Sequence, residues 1–494
     1  MDFGPNYTTR HRFSGPKRSF SGIKSRGGAR AATIEEMPPL TRRETLCALA
    51  AAAVPPRLAA ATDPWGALPQ ILKRIQAPRF TGATFDVRRF GARPDGRSDA
   101  SDAFAKAIAA AAGSGGTVVV PAGVFLSGAI HLRSGVNLQV SKGATIRFSR
   151  DRRRYPLVLT RFEGMECMNY SPLVYALDQR DIAITGEGTL DGQADCDHWW
   201  PWKGRTECGW KQGDPNQQKA RDQLGRMAED GVPVEKRVFG EGGYLRPMFL
   251  QPYRCTNVLI EGVTIVNSPM YEVHPVLCRN VTVRNVKIAT LGPNNDGCDP
   301  ESSVDVLIDG CTFQTGDDCI AIKSGRNADG RRLHAPSENI VVQNCTMEDG
   351  HGGVTLGSEC SGGIRFVFAQ NCKMDSPHLD RVLRFKDNAA RGGVLEHVYL
   401  RDVEAGQVAG PAIEVDFHYE EGDQGKYLPA VRDVQVENLT VGKCRQALSL
   451  RGYANAPIRD IKLRNCTFRN AAESDTIEFV EGLEIVPATG GGGL

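Results

Sequence analysis

Three aspartates in two short polar turns are the residues of this sequence best suited to acid–base chemistry. Asp296 follows two asparagines, and Asp317 and Asp318 stand side by side after a glycine. Carboxylates that lie close together raise one another's pKa, so one can keep a proton while another stays ionised. Hydrolysis of a glycosidic bond requires this division, because one carboxyl must protonate the leaving oxygen while another activates water. An Asp-Asp pair alone more often only stabilises a turn. A catalytic role therefore depends on which other side chains lie beside these aspartates.

An imidazole and two cations are candidates for that place. His351 stands between two glycines, and Arg384 and Lys386 flank Phe385 in a stretch that predicts a strand. Residues i and i+2 of a strand share one face, so both cations should point outward while Phe385 points into the core. Two outward cations would suit an acidic sugar, whose carboxylate needs local positive charge.

The elements that must position these residues belong to one repeated pattern. Each copy alternates with period two and is rich in β-branched residues. The copies begin at Asp181, Asn257, Asn280, Asp305, Asn339, Phe366, His397, Asp433 and Asp460. From the second copy on, their spacing is about 23 to 36 residues, which is typical of solenoids, and no helices alternate with the strands. The sequence therefore predicts an all-β fold, a single-stranded right-handed parallel β-helix. Helical periodicity at residues 103–112 predicts a helix that caps its N-terminal end.

Counting along the copies puts the candidate residues on one side of the solenoid. Asp317, His351 and His378 each lie seven residues after the Gly or Asn that closes their copy. Equivalent positions in successive coils are about 4.8 Å apart, and Asp296 lies in the turn of the coil before. The register therefore gathers three carboxylates, one or two imidazoles and two cations.

The same register interprets the cysteines. Four of them occupy a position that Val or Leu fills in other copies, so we expect buried, reduced thiols. These four are Cys311, Cys345, Cys372 and Cys466. Cys196 and Cys208 lie in an irregular Trp-rich segment and are the best candidates for a disulfide, which the sequence leaves open.

The first 61 residues differ from the rest in charge. They hold ten Lys or Arg and four Asp or Glu, which leaves 50 basic and 54 acidic residues in the remainder. Arg42 and Arg43 precede a weakly apolar run that ends in three alanines, the order of parts in a twin-arginine export signal. A start of translation at Met37 would give this signal its usual place. We expect a periplasmic or secreted protein.

The domain organisation follows from these observations. We expect a basic leader with its signal peptide over residues 1–61, a linker over 62–82, the catalytic β-helix over 83–485 and a Gly-rich tail over 486–494. A near-neutral body argues against nucleic-acid binding, and no apolar stretch reaches the length of a membrane span. We expect a monomer without membrane or nucleic-acid partners.

In its polar motifs the chain resembles the polygalacturonases, glycoside hydrolase family 28. That family carries Asn-Thr-Asp-Gly, Gly-Asp-Asp, Gly-His-Gly and Arg-Ile-Lys in this order, and residues 294–297, 316–318, 350–352 and 384–386 match them. The resemblance runs from about residue 90 to 482, and its first residues look like the opening segment of pectin lyase-like proteins. Two positions depart from the pattern. Phe385 for Ile keeps an apolar side chain, and Asn295 for Thr would mark a subgroup with other substrate preferences.

The resemblance implies an inverting, single-displacement hydrolase of α-1,4-galacturonan that needs no cofactor and no metal. Asp317 would protonate the glycosidic oxygen, Asp296 and Asp318 would activate the attacking water, and His351 would tune the protonation of Asp317. For such an enzyme we expect the acid and base carboxyls to be about 6.5–9.5 Å apart.

The resemblance also implies the substrate-binding residues. Arg384 and Lys386 would bind the substrate carboxylate, Asn294 would contact the sugar, and Tyr419 looks like a late tyrosine of the family that touches substrate. The expected partner is a pectic polysaccharide or an oligogalacturonide.

Exo action is favoured over endo action. An insert over about residues 196–244 and a basic loop over 324–332 resemble extra loops that wall off the groove in bacterial exo-acting members. Three alternatives stay open: a hydrolase of rhamnogalacturonan or xylogalacturonan, a calcium-dependent pectate lyase on the same fold, and a noncatalytic carbohydrate-binding solenoid.

Overall fold

The computed structural model describes residues 63–80 and 82–487. The expected leader over residues 1–61, with Arg42 and Arg43, lies outside the described residues, as does the tail beyond residue 487.

The described chain winds into a right-handed parallel β-helix, as the sequence predicts. Its largest sheet has 23 strands. They are Thr84–Asp86, Asp95–Asp99, Thr117–Val120, Gly123–Ser127, Asn137–Val140, Ala144–Phe148, Arg180–Gly186, Thr189–Asp191, Thr256–Glu261, Thr264–Val266, Arg279–Arg284, Lys287–Thr290, Val304–Asp309, Thr312–Thr315, Ser337–Gln343, Thr346–Asp349, Ile364–Gln370, Lys373–Met374, Val394–Ala405, Ala430–Val441, Ile458–Arg464, Thr467–Phe468 and Val480–Val486.

Smaller sheets complete the coils. A six-stranded parallel sheet comprises Ile320–Ile322, Val354–Leu356, Leu383–Lys386, Pro411–Asp416, Gln446–Arg451 and Thr476–Glu478. A three-stranded parallel sheet comprises Ile130–His131, Val174–Leu177 and Leu250–Tyr253. An antiparallel hairpin, Leu157–Phe162 with Met165–Tyr170, stands apart from the coils.

Helices are few and short. The α-helices are Leu68–Arg74, Ser101–Ala112, Gln218–Glu229 and Asn327–Leu333. The 3-10 helices are Pro64–Ala67, Val87–Phe90, Arg152–Arg154, Trp200–Lys203, Thr206–Cys208 and Val234–Lys236. No helix among the described residues is long and apolar enough to cross a membrane.

The first residue of each copy explains why the pattern folds this way. All nine predicted starting residues have a positive φ, between 51° and 60°, a conformation that Asn and Asp adopt more readily than most residues. Their side chains also bond along the axis: Asn257 Nδ2 donates to Asp181 Oδ1 at 2.8 Å, and Asn280 Nδ2 donates to Asn257 Oδ1 at 2.7 Å. Where Phe366 and His397 replace them, the two rings stack with their centroids 4.7 Å apart. The sequence repeat and the stacking of these side chains along the solenoid axis therefore have one physical origin.

The core confirms most of the expected thiol burial. Cys311, Cys345 and Cys372 are buried and unbridged, whereas Cys466 is only half-buried. The expectation is wrong for Cys466 because it lies near the C-terminal end of the solenoid. The strand Thr467–Phe468 beside it pairs only with the coil before it in the described part of the chain.

The N-terminal end is capped as predicted. The helix Ser101–Ala112 lies against the first coils and buries Ala103, Phe104, Ala107, Ile108 and Ala111 in the main core.

Residues 63–75, in the expected linker of residues 62–82, pack against the solenoid. The Trp65 ring lies 5.6 Å from the ring of Phe368 and 6.5 Å from that of Tyr399, on the outer face of the large sheet. Leu68 and Ile71 are buried in the same apolar cluster. These apolar residues recur every three residues, which is helical spacing.

The insert leaves and rejoins the solenoid at neighbouring positions. Asp191 pairs with Val266 of the next coil, and Leu250 pairs with Val273 of that same coil. The residues between Asp191 and Leu250 therefore stand where the next coil has only residues 267–272. Within the insert, Cys196 and Cys208 form a disulfide.

Candidate active site

Three aspartate side chains meet at one turn of the solenoid. Asp296 follows the strand Lys287–Thr290, and Asp317 and Asp318 follow the strand Thr312–Thr315 in the next coil. Each carboxylate offers an oxygen that lies within 4.8 Å of the others. Asp296 and Asp318 are buried, whereas Asp317 is partly exposed. The structure thus brings together the three carboxylates that the sequence selects.

The carboxylate oxygens lie closer together than expected. Successive coils are about 4.8 Å apart, and Asp317 and Asp318 are consecutive, so the solenoid fixes a short spacing. The nearest oxygens fall within 4.8 Å rather than at the usual inverting separation of about 6.5–9.5 Å. The expected separation is wrong for these oxygens, and their spacing carries no argument for inversion.

A basic side chain faces each carboxylate. The closest pairs are Lys386 with Asp318 at 2.6 Å, His351 with Asp317 at 2.9 Å and Lys323 with Asp296 at 3.4 Å. Unpaired buried charges are costly, and a partner within hydrogen-bond distance offsets much of that cost. The cluster can therefore hold several charges in a small volume.

Of the three clustered aspartates, Asp296 is the one that holds a proton most firmly. Burial, together with the charges of Asp317 and Asp318, raises its pKa to about 8 against the opposing charge of Lys323. Its Oδ1 atom is buried without a hydrogen-bond partner among the described residues. At neutral pH the unliganded site therefore keeps a proton on Asp296.

Asp317 and His351 form a hydrogen-bonded pair. Burial alone would raise the pKa of Asp317, but the hydrogen bond and charge of His351, with the charges of Lys386 and Lys323, hold that pKa below its ordinary value. The same hydrogen bond raises the pKa of His351 against the effect of burial. The second oxygen, Asp317 Oδ2, accepts a long bond of 3.4 Å from Asn294 Nδ2. The pair can thus share one proton between His351 Nδ1 and Asp317 Oδ1, while Asp317 Oδ2 can still face a ligand.

Asp318 is the carboxylate held ionised. Burial and the charge of Asp317 raise its pKa, but the charges of Lys386 and Arg384 bring it below the ordinary value. Thr355 Oγ1 donates a further hydrogen bond to Asp318 Oδ1 at 2.9 Å.

The predicted cation pair shares one face but is not free. Phe385 lies in the core, as expected. Arg384 Nε donates to Glu414 Oε2 at 3.1 Å, and Lys386 is buried against the carboxylate cluster. The ring of Tyr419 lies 5.6 Å from Arg384 Cζ and 5.5 Å from Lys386 Nζ. The expectation of two freely outward cations is therefore corrected, because each already faces an anion.

The two asparagines before Asp296 have different surroundings. Asn294 Oδ1 accepts from Arg246 Nη2 at 2.8 Å and is partly exposed. Asn295 is fully buried: its Oδ1 accepts from the Gly292 backbone N–H at 2.7 Å, and its Nδ2 donates to the Ser268 carbonyl at 3.0 Å. Asn295 therefore holds the turn together, and its position offers no support for a role in substrate preference.

The glycines beside His351 are required by close approach. A Cβ atom on Gly350 would lie 2.5 Å from the Asp317 carbonyl oxygen, and one on Gly352 would lie 2.3 Å from Thr355 Oγ1. No side chain fits at these distances, so the Gly-His-Gly motif lets two coils pack tightly beside the carboxylates.

The register that selects His351 is less regular than equal counting assumes. Gln314 pairs with Asp349, which leaves one extra residue in the later coil. His351 still reaches Asp317, and its backbone N–H donates to the Asp317 carbonyl at 3.0 Å. His378, which the same counting selects, is exposed.

Lys323 is a site residue that the sequence reasoning misses. Ile322 pairs with Leu356, which in turn pairs with Phe385. Lys323 therefore occupies the position of Lys386 two coils earlier, and the register argument used for Lys386 could have found it.

Two further buried carboxyls lie near Asp296 and were also missed. Glu272 and Asp299 have no side-chain hydrogen-bond partner among the described residues. Burial raises the pKa of each well above its ordinary value, and the charge of Asp296 adds to the effect. Burial therefore favours the neutral form of each carboxyl. Asp299 lies three residues after Asp296, which is the only sequence signal for either.

The three clustered aspartates are also the group of described residues that could hold a metal ion. A calcium site needs 6 to 8 oxygen ligands, whereas each carboxylate here already faces an ammonium or imidazole group. This donor set fits a proton-transfer site better than a cation cage.

Segments outside the coils meet in an ion-pair network. Arg326 lies 3.4 Å from Glu163 of the hairpin, 3.2 Å from Glu420 and 3.1 Å from Glu421. Arg221, on the helix of the insert, lies 2.5 Å from Glu163. The insert, the hairpin and the loop after the fourth strand of the six-stranded sheet are therefore tied together.

This network borders the carboxylate cluster. Lys323, which faces Asp296, also lies 3.2 Å from Glu359. Burial would raise the pKa of Glu359, but the charges of Lys323 and Arg326 hold it below the ordinary value. The predicted basic loop over residues 324–332 thus joins the wall beside the site, and most of it forms the helix Asn327–Leu333.

The sequence matches two protein families. Residues 237–486, half of the chain, match glycosyl hydrolases family 28. Residues 84–145 match the family described as rhamnogalacturonase A/epimerase, pectate lyase-like.

Several known proteins are similar over most of the chain. A probable polygalacturonase of Vitis vinifera is 26% identical over 80% of this chain and 77% of its own length. An exo-poly-alpha-D-galacturonosidase of Dickeya chrysanthemi is 27% identical over 72% of this chain, which spans 62% of that relative. The crystal structure of a hyperthermoactive exopolygalacturonase from Thermotoga maritima superimposes with a TM-score of 0.83 at 47% identity, covering 86% of this chain and 96% of that one.

Proposed function

The chain belongs to glycosyl hydrolase family 28, and from this premise we propose that it hydrolyses α-1,4-galacturonosyl linkages of polygalacturonate, by exo action and with inversion. The observation that carries the proposal is the cluster of Asp296, Asp317 and Asp318, in which each carboxylate has its own basic partner. Relatives named as exo-acting galacturonan hydrolases support the substrate class.

The acid of the reaction is the pair of Asp317 and His351. A proton shared across their 2.9 Å hydrogen bond can reach the leaving oxygen through Asp317, whose Oδ2 atom is only loosely bonded to Asn294. His351 keeps that proton available up to a higher pH, because the hydrogen bond raises its pKa. The leaving hydroxyl takes that proton as the glycosidic C–O bond breaks.

The base is Asp318, with Asp296 beside it. Asp318 stays ionised because Lys386 and Arg384 stabilise its charge, so it can accept a proton from the attacking water. Asp296 can join as a second base at a pH above its raised pKa, where it has lost its own proton to solvent.

Arg384, Lys386 and Tyr419 bind the uronic acid. A substrate carboxylate approaching Arg384 and Lys386 meets two cations whose present partners, Glu414 and Asp318, do not use all of their N–H donors. The Tyr419 ring lies over both cations and offers a flat surface for a sugar.

Exo action is supported by the wall around the site. The insert, the hairpin and the segment containing Arg326 meet in one network of ion pairs. An open groove that accepts a chain in its middle would need this wall to be absent. A lyase is less well supported, because the carboxylates face basic groups instead of free coordination positions.

Export through a twin-arginine signal at Arg42 and Arg43 is part of the proposal. Its support is the order of signal parts in residues 37–61, and a pectic polysaccharide substrate would be met outside the cytoplasm. We also infer that the enzyme works as a monomer.

The test measures reducing ends released from polygalacturonate with a chelator present, alongside NMR of the freshly released anomer. We expect full activity with chelator, an inverted anomer and loss of about 10²–10⁴ in rate for Asp317→Asn. The exposed Asp102 gives a matched control, because Asp102→Asn should leave the rate unchanged. Calcium dependence with an unsaturated product would move the protein to the lyases, a retained anomer would overturn the mechanism, and full activity of Asp317→Asn would overturn its role.

A further inference from the structure

The insert places one lysine beside the catalytic turn with no visible partner. Lys203 ends the 3-10 helix Trp200–Lys203 and is half-buried. Its ammonium group has no hydrogen bond and no ion pair with any other described residue. A half-buried charge without a partner is costly, so the position is best explained by an anion that arrives from outside.

The helix that carries Lys203 is anchored directly on the catalytic turn. Trp200 Nε1 donates to the Ser268 carbonyl at 2.8 Å. The Trp200 ring fills the space beside Gly292, where a Cβ atom would lie 2.2 Å from the ring. Trp202 packs against Tyr244 with ring centroids 5.2 Å apart. Lys203 is therefore held on a rigid aromatic platform.

A chain of hydrogen bonds connects this helix to the acid. The Gln217 backbone N–H donates to the Trp202 carbonyl at 2.8 Å, and Gln217 Oε1 accepts from Arg246 Nε at 3.2 Å. Arg246 Nη2 donates to Asn294 Oδ1 at 2.8 Å, and Asn294 Nδ2 donates to Asp317 Oδ2 at 3.4 Å. Three residues, linked by hydrogen bonds, thus connect the helix Trp200–Lys203 to Asp317.

Lys203 stands among charges of both signs, and the carboxylate whose charge affects it most already has other partners. Burial lowers the pKa of Lys203, the charges of Arg246 and Arg205 lower it further, and the charges of Glu163 and Asp317 oppose them. Glu163 is already paired with Arg221 and Arg326. Lys203 is therefore left without a carboxylate of its own among the described residues.

The short helix that ends at Lys203 and the Arg384–Lys386 pair lie on opposite sides of the acid along the solenoid axis. Trp200, three residues before Lys203 on the same short helix, rests on the coils of Ser268 and Gly292, which precede the coil of Asp317. Arg384 lies on a later coil. Two consecutive uronic acid residues across the cleaved bond would thus meet a cation on each side.

On the basis of the proposed function, we propose that Lys203 binds the carboxylate of the galacturonate residue on the side of the carboxylate cluster opposite Arg384. This assigns the second acidic sugar to a residue of the insert. The disulfide between Cys196 and Cys208 encloses Lys203 and limits its motion.

The first experiment measures KM and kcat on digalacturonate for four proteins. Lys203→Gln should raise KM about tenfold, the loss expected for one charge-assisted hydrogen bond, with kcat changed less than KM. Lys203→Arg should restore most of the affinity. Lys211→Gln is the matched control, because Lys211 lies exposed in the same insert and should match the wild type.

The second experiment separates carboxylate binding from a structural role. Trigalacturonates methyl-esterified at one residue at a time are compared with the free acid. One ester should weaken binding to the wild type about tenfold and leave binding to Lys203→Gln nearly unchanged. An ester at a different sugar should weaken binding to the wild type but leave binding to Arg384→Lys nearly unchanged. Equal ester penalties in wild type and Lys203→Gln would overturn the inference. A wild-type protein that releases no sugar from polygalacturonate would instead overturn the proposed function.

Discussion

The proton shared by Asp317 and His351 decides the pH range in which the site can act as an acid. The hydrogen bond between them raises the pKa of His351 above its ordinary value and lowers that of Asp317. A group with a raised pKa keeps its proton below that pKa and loses it as pH rises through it. The acid function should therefore fail on the alkaline side.

His351→Asn should move the alkaline limb of kcat/KM to lower pH and reduce the maximum by about 10- to 100-fold. The remaining acid would then be Asp317 alone, which titrates lower than the histidine. The measurement is a pH–rate profile on oligogalacturonide. His378→Asn provides the control, since His378 is exposed one coil away and its removal should leave the profile in place. An unmoved alkaline limb in His351→Asn would contradict the shared-proton argument.

Asp296→Asn should stabilise the fold at alkaline pH while it lowers the activity. Burial raises the pKa of Asp296 to about 8, so the wild type loses stability as pH rises from the ordinary Asp value through 8, and neutral Asn does not. Lys323 keeps Glu359 as a partner in the variant. Thermal unfolding at pH 4 and pH 9 checks this: the variant's advantage should grow with pH. A constant difference would show that Asp296 ionises freely in the folded protein.

Sequence reasoning finds the residues that carry recognisable motifs and misses those that depend on tertiary packing. Asp317 and His351 follow from motif and register. Arg246 and Lys203 come from an irregular insert that has no repeat to count along, so only the folded chain reveals that they border the acid. Lys323 belongs to neither group: it has no recognisable motif, but the strand register could have placed it at the site.

At the scale of elements, the rigid insert is what distinguishes this solenoid from a bare groove. Its Trp200–Lys203 helix docks on the catalytic turn, and its longer helix Gln218–Glu229 joins the ion-pair network through Arg221. The sequence predicts the strands well because each copy repeats the same turn chemistry. It does not predict the packed helix Leu68–Arg74 or the helix Asn327–Leu333, since single short segments have no repeat to support them.

Replacing both Cys196 and Cys208 by serine should raise KM on digalacturonate by about 2- to 10-fold, the cost of ordering one loosened side chain. The disulfide closes the loop that carries Lys203, and kcat should change less than KM. The decisive comparison adds Lys203→Gln to the serine variant. The two effects should not add, because both act on one contact; full additivity would mean that the disulfide acts elsewhere.

Across the whole molecule, the protection of cysteine thiols against a labelling reagent should depend on their position along the solenoid axis. Cys311, Cys345 and Cys372 are buried between stacked coils, whereas Cys466 lies half-buried near the last coil. Local opening is easiest where the fewest neighbours pack. We expect a thiol reagent to label Cys466 first in the native protein and the other three only with unfolding, as peptide mass mapping would show. Rapid labelling of Cys345 would contradict the packed core.

Export concerns the part of the chain outside the described residues. Arg42→Lys combined with Arg43→Lys should leave the precursor in the cytoplasm, because a twin-arginine signal depends on that pair. Fractionation followed by the reducing-end assay measures the outcome, with Arg57→Lys as the control. Unchanged periplasmic activity in the double variant would show that the pair is no export signal.

The shared boundary of the insert makes it an exchangeable module. Because Asp191 and Leu250 occupy stacked positions that the next coil joins with residues 267–272, evolution or an engineer can exchange the whole segment without changing the register of the coils on either side. The entropy of closing a loop grows only slowly with its length, so such exchanges cost the scaffold little. A family built on this solenoid can therefore vary the wall beside its active site by exchanging one segment, while the acid, the base and the stacked asparagines keep their places in the coils.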